Sequence, residues 1–516
     1  MPFKSRMWGL GWGLLDRHEA RPRAWAAAKR ERSSLTASMW ETGMFSIPGR
    51  TPRAKTVYLL QVAAEIEHAL MVQYLYAAYS IDETFDERVN DDRCRTVNEW
   101  KRDIRGIARQ EMSHLVTVQN LLIALGAEPD LSRENAFQDH PLEYPFPMMF
   151  EPLSTHSLAK YVATESPDPG EISVPGDARA LRRIFRTVES DLRTNVNRVG
   201  VIYATLYWLL LASDSAEGPW AMPAAARRCF RSAGLAGVHV RDDDFVSSDQ
   251  YLEFAATPDE WEVFEPAMHV DGVDSRRRAL AGVHWIVSQG EGPVGKPPAA
   301  RATATSLDKR SHFQKFLSIY QAFKKDESHL SRAVMRVPIN PMTPRRSAPR
   351  PQGVKAVIAH PTTKLWALLC DLRYQMLLLD LLLALSSSRR TSGDVRRALT
   401  EWAVVHEMEF LKRIGQLLPR LPLRPRDHTA TAGAPFETIE VPQDEAKRWD
   451  LQRVLLVGAD TVITRLQKKL PAGNPNRLLL NAIQAFDQQR LPTVLAHSRV
   501  PHRYDWDAGV VRRVRR

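Results

Sequence analysis

The chain has 516 residues, 44% hydrophobic and 25% charged, with a formal net charge of +11. That balance suits a large folded core in two or three domains and excludes a disordered chain. No uninterrupted apolar run reaches membrane-spanning length, because "LWALLCDLRYQMLLLDLLLAL" carries Asp371, Arg373 and Asp380.

Residues 1–50 read as a basic, Trp-rich N-terminal arm without the pattern of a secretion signal. Helical periodicity then runs over 56–81 and 97–125, the second stretch stopping at Gly126 with Pro129 beyond. A polar, Pro-rich loop over 128–152 leads to a short helix over 153–164, closed by "ESPDPGE". A third long helix covers 178–213, with a break near Gly200. A fourth covers 275–289, breaks at "GEGPVGKPPAA" and resumes at "DKRSHFQKFLSIYQAF". The Pro- and Arg-dense stretch over 336–356 marks a linker between a first domain (51–335) and a second (357–516). The second domain holds helices over 362–387 and 393–418, a Pro-rich loop and one or two terminal helices. Period-two alternation is almost absent, so the expected class is all-α.

The halves share a weak internal similarity. At an offset of 306, residues 59–80 fall on 365–386, so Glu65 meets Asp371 and Ser80 meets Ser386, but Glu67 meets Arg373. At an offset of 296, Glu111-Met112 falls on Glu407-Met408, and His114 on Phe410. The expectation is that the second domain is a degenerate copy of the first helix pair, its polar ligands lost.

Those ligands begin in "AAEIEHALMVQYLYAAYS". Ala63, Ile66, Leu70, Tyr74 and Ala77 make one helical face, and Glu67 lies on it; Glu65 and His68 fall off it, to the periphery or the surface. A carboxylate aimed into a core is costly without a positive partner. The next helix carries "IARQEMSHL", where Glu111 and His114 are three residues apart and reach one point. Di-iron and di-manganese bundles use one Glu from each of two helices and Glu-x-x-His from each of the other two. Two acids and a His on facing apolar stripes therefore point to a metal, the alternative being a buried charge network without one. Glu291 and His312 stand too far apart to form one such turn; they converge only if the chain leaves the helix near Gly290 and re-enters it near Asp308, and otherwise Glu291 closes a turn and His312 is a core histidine. Glu165, at a helix end, and Glu189, flanked by Arg186 and Arg193, are alternative sources of a further acid. Tyr74 and Tyr203 are candidate substrate-pocket residues or ordinary core tyrosines. The cysteines, Cys94, Cys229 and Cys370, form no CxxC pair or disulfide framework, which suits a cytoplasmic protein. The basic clusters "AAAKRER" and "VVRRVRR" accompany no nucleic-acid-binding motif, so nucleic acid is not an expected partner.

The segments "LLQVAAEIEHALMVQYLYAAYSI", "GIARQEMSHLVTVQNLLIALGAEP", "PLSTHSLAKYVATESP", "IVSQGEG" and "SHFQKFLSI", in that order, resemble a ferritin-like family. It is typified by the iminophenyl-pyruvate dimer synthases of bisindole pathways such as violacein and rebeccamycin. "ALTEWAVVHEMEFLKRIGQLLPRLPL", "TAGAPFETIEVP" and "AKRWD" extend the resemblance over most of 55–460. It implies a ferritin-like four-helix bundle with iron, two ions, and O2 as co-substrate, acting on a small amino-acid-derived molecule. It also implies that Glu67, Glu111, His114, Glu291 and His312 hold metal, with Glu165 nearby. Where the bisindole enzymes commonly read Ile-Pro-Pro before the tyrosine, this chain has Met71-Val72-Gln73 before Tyr74. The function expected is a non-haem iron oxidase or oxygenase of specialised metabolism. The alternatives are oxidative dimerisation of imino acids or a metal-free helical scaffold, and homo-oligomerisation stays open.

Overall fold

The computed structural model describes residues 47–85, 92–133, 148–167, 175–192, 198–216, 222, 224–265, 268–290, 310–343, 356–439, 441–499, 504–507 and 510–513. The all-α expectation is borne out: helices dominate, and the strands pair only as three two-stranded ribbons among the described residues. The N-terminal arm lies outside the described residues up to position 46.

The first half is built on α1 (Pro52–Tyr79) packed along α2 (Asp92–Ala124). Helix α1 starts a turn earlier than expected because Thr51 caps it, accepting from the Ala54 amide, and Pro52 suits the first position, where no amide is needed. Helix α2 ends at Gly126, which takes φ +63°. The Gly126 amide bonds back to Ile123 and the Ala127 amide to Leu122, so the last carbonyls are satisfied. Helix α3 (Thr155–Thr164) opens with a capping box between Ser154 and Ser157. The helical stretch expected over 178–213 with a break near Gly200 is present as two helices, α4 (Pro175–Leu192) and α5 (Gly200–Leu210). Helices α6 (Arg276–Gly290) and α7 (His312–Lys325) follow, with short helices at Ala224–Phe230, Ser248–Phe254 and Pro258–Trp261 intervening. Helix α5 lies on α1 and α6, while α7 packs on α3 and α2. The ends of α3 and α7 are thereby brought to the middle of α1 and α2.

The second half holds α8 (Pro361–Ser386), α9 (Arg389–Glu401), α10 (Met408–Leu417), α11 (Glu445–Lys469) and α12 (Asn476–His497). A π-helical turn, Trp402–Glu407, joins α9 to α10. A tight connection at 387–388 folds that helix back along α8, while α11 packs on α8 and α12. The rings of Trp402, His406 and Phe410 meet Phe486 of α12 and close the ring of four. At the expected linker, Pro341–Met342 pairs in parallel with Ala356–Val357, so both ends of that stretch are tied together.

The second half covers the face of α1 turned away from α2. This corrects the placement of Glu65 and His68, both of which are buried. The Tyr374 hydroxyl is hydrogen-bonded to His68 Nε2. Burial, then the charge of Arg133, drives the His68 ring down to about 3, so it stays neutral. Arg389 and Arg396 reach Glu260 at 2.9 and 2.8 Å, and Gly415 lets the Tyr79 ring lie on the helix backbone, where a Cβ would sit 2.5 Å from it. His68 and Tyr374 are also the residues that the offset of 306 pairs. Matched residues touching each other is the pattern found beside a two-fold axis.

Candidate metal centre

Helix α1 buries Ala63, Ile66, Leu70, Tyr74 and Ala77 with Glu67 among them, and α2 buries Ile104, Ile107, Ala108, Glu111, His114, Leu115, Val118 and Leu122. These are the two stripes that the sequence puts face to face. Glu165 arrives as the C-cap of α3, and His312 as the first residue of α7, held there by the Ser311–Gln314 capping box.

The five side chains form two groups that could each hold an ion, Glu67–Glu111–His114 and Glu111–Glu165–His312, which share Glu111. His114 Nδ1 lies 2.8 Å from Glu111 Oε2 and 3.4 Å from Glu67 Oε2. His312 Nδ1 lies 2.9 Å from Glu111 Oε1 and 3.6 Å from Glu165 Oε2. Glu67 Oε2, Glu111 Oε1 and His312 Nδ1 are nevertheless buried without a hydrogen bond. Donor atoms that converge without bonding one another are aimed at a common point. Carboxylate oxygen and imidazole nitrogen suit iron or manganese, and the residues present fit such an ion at each group.

The outer oxygens are already engaged. Tyr203 donates to Glu67 Oε1, and Tyr74 to Glu165 Oε1 at 2.5 Å. Both tyrosines are thus at the cluster, with their hydroxyls turned to the carboxylates.

Electrostatics of the metal-free cluster follow from this crowding. Burial, then the charge of Glu111, pushes the Glu67 carboxyl up to about 8. The same two causes raise Glu165. Burial also opposes ionisation of Glu111, but His312 and His114 outweigh it and hold that carboxyl below its usual range. Burial disfavours charge on His114 and His312 as well, yet Glu111 prevails and raises both rings. Protons therefore stand where cations would. A raised folded-state value means the native state binds more protons than the unfolded one, so the metal-free fold loses stability as pH rises from about 4.5 to about 8 through Glu67. The histidines act in the same direction, their contribution being lost as pH rises through their raised folded values. Metal uptake displaces these protons, so affinity is expected to climb between pH 6 and 8, by about tenfold per pH unit for each proton released. Calorimetric titration in buffers of different ionisation enthalpy counts the protons; an affinity flat over that range would contradict the assignment.

Of the residues expected at the metal, Glu67, Glu111, His114, Glu165 and His312 come together. Glu291 lies outside the described residues. Glu189, half-buried on α4, is in neither group, so of the two alternatives it is Glu165 that joins the cluster. The second Glu and His enter from helix ends rather than from one Glu-x-x-His turn. The sequence reading missed Gln110, Gln289 and Trp285, which stand around the histidines. Two of them were signalled: Gln110 adjoins Glu111, and Gln289 lies within "IVSQGEG". Gly290, next to Gln289, approaches so closely that a Cβ there would be 3.1 Å from Glu165 Oε2.

The matched place in the second half holds no such opening. Arg373, at the counterpart of Glu67, bonds Glu407, the counterpart of Glu111, through Nε at 2.8 Å, and grips Asp487 through Nη1 at 2.9 and 2.8 Å. Arg490 reaches Glu407 at 2.9 Å, Asp487 at 3.0 Å and Asp380 at 3.3 Å. Burial holds the Asp380 carboxyl well above its usual range, and Gln452 and Arg490 both hydrogen-bond to it. The two guanidinium groups of Arg373 and Arg490 thus face the side chains of Glu407 and Asp487.

The fold is helical, and within it residues 60–217 match the family model described as Ferritin-like. A stretch of 157 residues, 26% of this chain, is 34% identical to the 2-imino-3-(indol-3-yl)propanoate dimerase of Chromobacterium violaceum and covers 15% of that protein. Over 416 residues, 76% of this chain, it is 25% identical to the dichlorochromopyrrolate synthase of Lentzea aerocolonigenes, covering 36% of that protein. The resemblance to enzymes of bisindole pathways is thus borne out, while the chain spans well under half the length of these curated relatives. No solved structure matches it significantly. No helix among the described residues is long and apolar enough to cross a membrane.

Proposed function

We propose that this chain is a non-haem iron enzyme, with two ions sharing Glu111, that oxidises or oxygenates a small amino-acid-derived substrate using O2. The observation that carries this reading is the pair of buried three-residue groups joined at one carboxylate. When bound, iron supplies the O2 activation and electron transfer that side chains alone cannot.

The chain's own residues prepare the place for it. Glu67, Glu111 and His114 would hold one ion, and Glu111, Glu165 and His312 the other. Tyr203 and Tyr74 each hold one oxygen of Glu67 and Glu165, turning the other oxygen inward. The apolar stripes of α1 and α2 exclude water around the cluster and strengthen every charge interaction within it.

A second reading, oxidative coupling of two imino acids, is favoured by the similarity to an imino-acid dimerase. The discriminating experiment incubates iron(II)-loaded protein with aromatic amino acids and their 2-oxo and 2-imino acids, with and without O2, and weighs the products. An added oxygen atom marks an oxygenase, loss of hydrogen an oxidase, and doubling of the carbon skeleton a coupling enzyme. Products unchanged by removal of iron would overturn the iron dependence of both readings, and a protein that forms no product and retains no iron after loading would favour a metal-free scaffold.

A further inference from the structure

Each histidine of the cluster turns Nδ1 inward, and each has a glutamine at its other nitrogen. His114 Nε2 lies 2.8 Å from Gln289 Oε1 on α6, and His312 Nε2 lies 3.0 Å from Gln110 Oε1 on α2. The two glutamines are half-buried and come from different helices, yet make the same contact.

A neutral imidazole has one N–H and one lone pair, and which nitrogen carries which is set by its neighbours. A carboxamide oxygen only accepts. It therefore keeps the proton on Nε2 and leaves the lone pair on Nδ1, pointing at the carboxylates of the cluster. With the tautomers reversed, each ring would present an N–H to its ion and could not bind it. The arrangement also divides the labour: Gln289 serves the group that contains Glu67, and Gln110 the group that contains Glu165. Gln110 is tied to its group by sequence as well, since it directly precedes the shared Glu111. Gln289 precedes Gly290, whose close approach to Glu165 fixes the end of α6 against the cluster.

We propose that Gln289 and Gln110 are positioning residues that fix the tautomers of His114 and His312, each controlling the affinity of a different one of the two ions. This rests on the proposed metal-dependent function and extends it to residues outside the ligand set.

The test is an anaerobic Co2+ titration of the full chain, read by calorimetry and by the visible ligand-field bands. Gln289→Met and Gln110→Met keep side-chain length but lose the acceptor. Each is expected to weaken one ion by about 10–100-fold and shift its bands, while the other ion binds as in the wild type. Gln289→Glu and Gln110→Glu restore an acceptor and are expected to recover the affinity. The melting temperature of each metal-free variant is measured alongside. Equal weakening of both ions in step with a fall in that temperature would mean a structural role only and overturn the proposal. Wild-type affinity in both Met variants would overturn it while leaving the metal site standing. A wild-type chain that binds no Co2+ would overturn the metal-dependent function and this inference together.

Discussion

Glu111→Gln is expected to strip both ions from the protein while leaving it folded. Glu111 is the one carboxylate common to the two groups, with Oε2 on His114 and Oε1 facing His312. Loss of a bridging charge removes a ligand from each ion at once, so affinity falls by more than the roughly 10–100-fold seen for residues outside the ligand set. The metal-free fold suffers less. His114 and His312 lose the largest of the charges that raise them, and a core tolerates a neutral imidazole, so the cost is about 1–3 kcal/mol for weakened hydrogen bonds. Glu67→Gln is the matching control: Tyr203 keeps an acceptor there, Glu67 belongs to one group only, and a single ion is lost. Metal content after dialysis, with melting curves of the metal-free proteins, reads both effects. Full retention of metal by Glu111→Gln would remove Glu111 from the ligand set.

The second large effect is on stability, in the other half of the chain. Arg373→Met is expected to cost about 3–5 kcal/mol, the range for breaking a buried ion pair by removing one partner. The reason is charge: Arg373 is fully buried against Glu407 and Asp487, and its loss leaves Arg490 alone against both. The double variant Arg373→Met with Glu407→Leu restores the balance of one guanidinium to one carboxylate and is expected to recover much of the loss. Denaturant unfolding midpoints check both. A single variant that costs less than about 1 kcal/mol, or a double variant no better than the single, would show that the network is not charge-balanced as described.

What was legible in the sequence was whatever one helix could state by itself. Glu111 and His114 share a turn, and Glu67 interrupts an apolar stripe on the adjacent helix, so periodicity alone brings the three together. The all-α class followed from the same periodicity. Glu165 and His312 were harder, because each sits at a helix end and is delivered by tertiary packing of α3 and α7; their membership of the site came from family resemblance. His68 was misplaced for a related reason. A helix with one apolar face is read as having one covered side, but α1 is covered on the other side by Tyr374, 306 residues away. Gln110 and Gln289 carry no charge and bear no ligand spacing, so only their neighbours, Glu111 and the segment "IVSQGEG", mark them.

A degenerate copy in the second half requires that its helix pair fold back on itself as the first does. The chain from α8 through α9 to α10 does so, and the counterparts of Glu67 and Glu111 meet there as Arg373 and Glu407. We therefore propose descent of both halves from one helix pair, with a guanidinium standing in the second where a cation is held in the first.

Anomalous diffraction across the iron K edge, on crystals of the iron-loaded full chain, locates the ions. Two peaks are expected flanking Glu111, one among Glu67, Glu111 and His114 and the other among Glu111, Glu165 and His312, and none beside Arg373. The absence of any peak within reach of Glu111 in iron-loaded crystals would contradict the proposed metal centre.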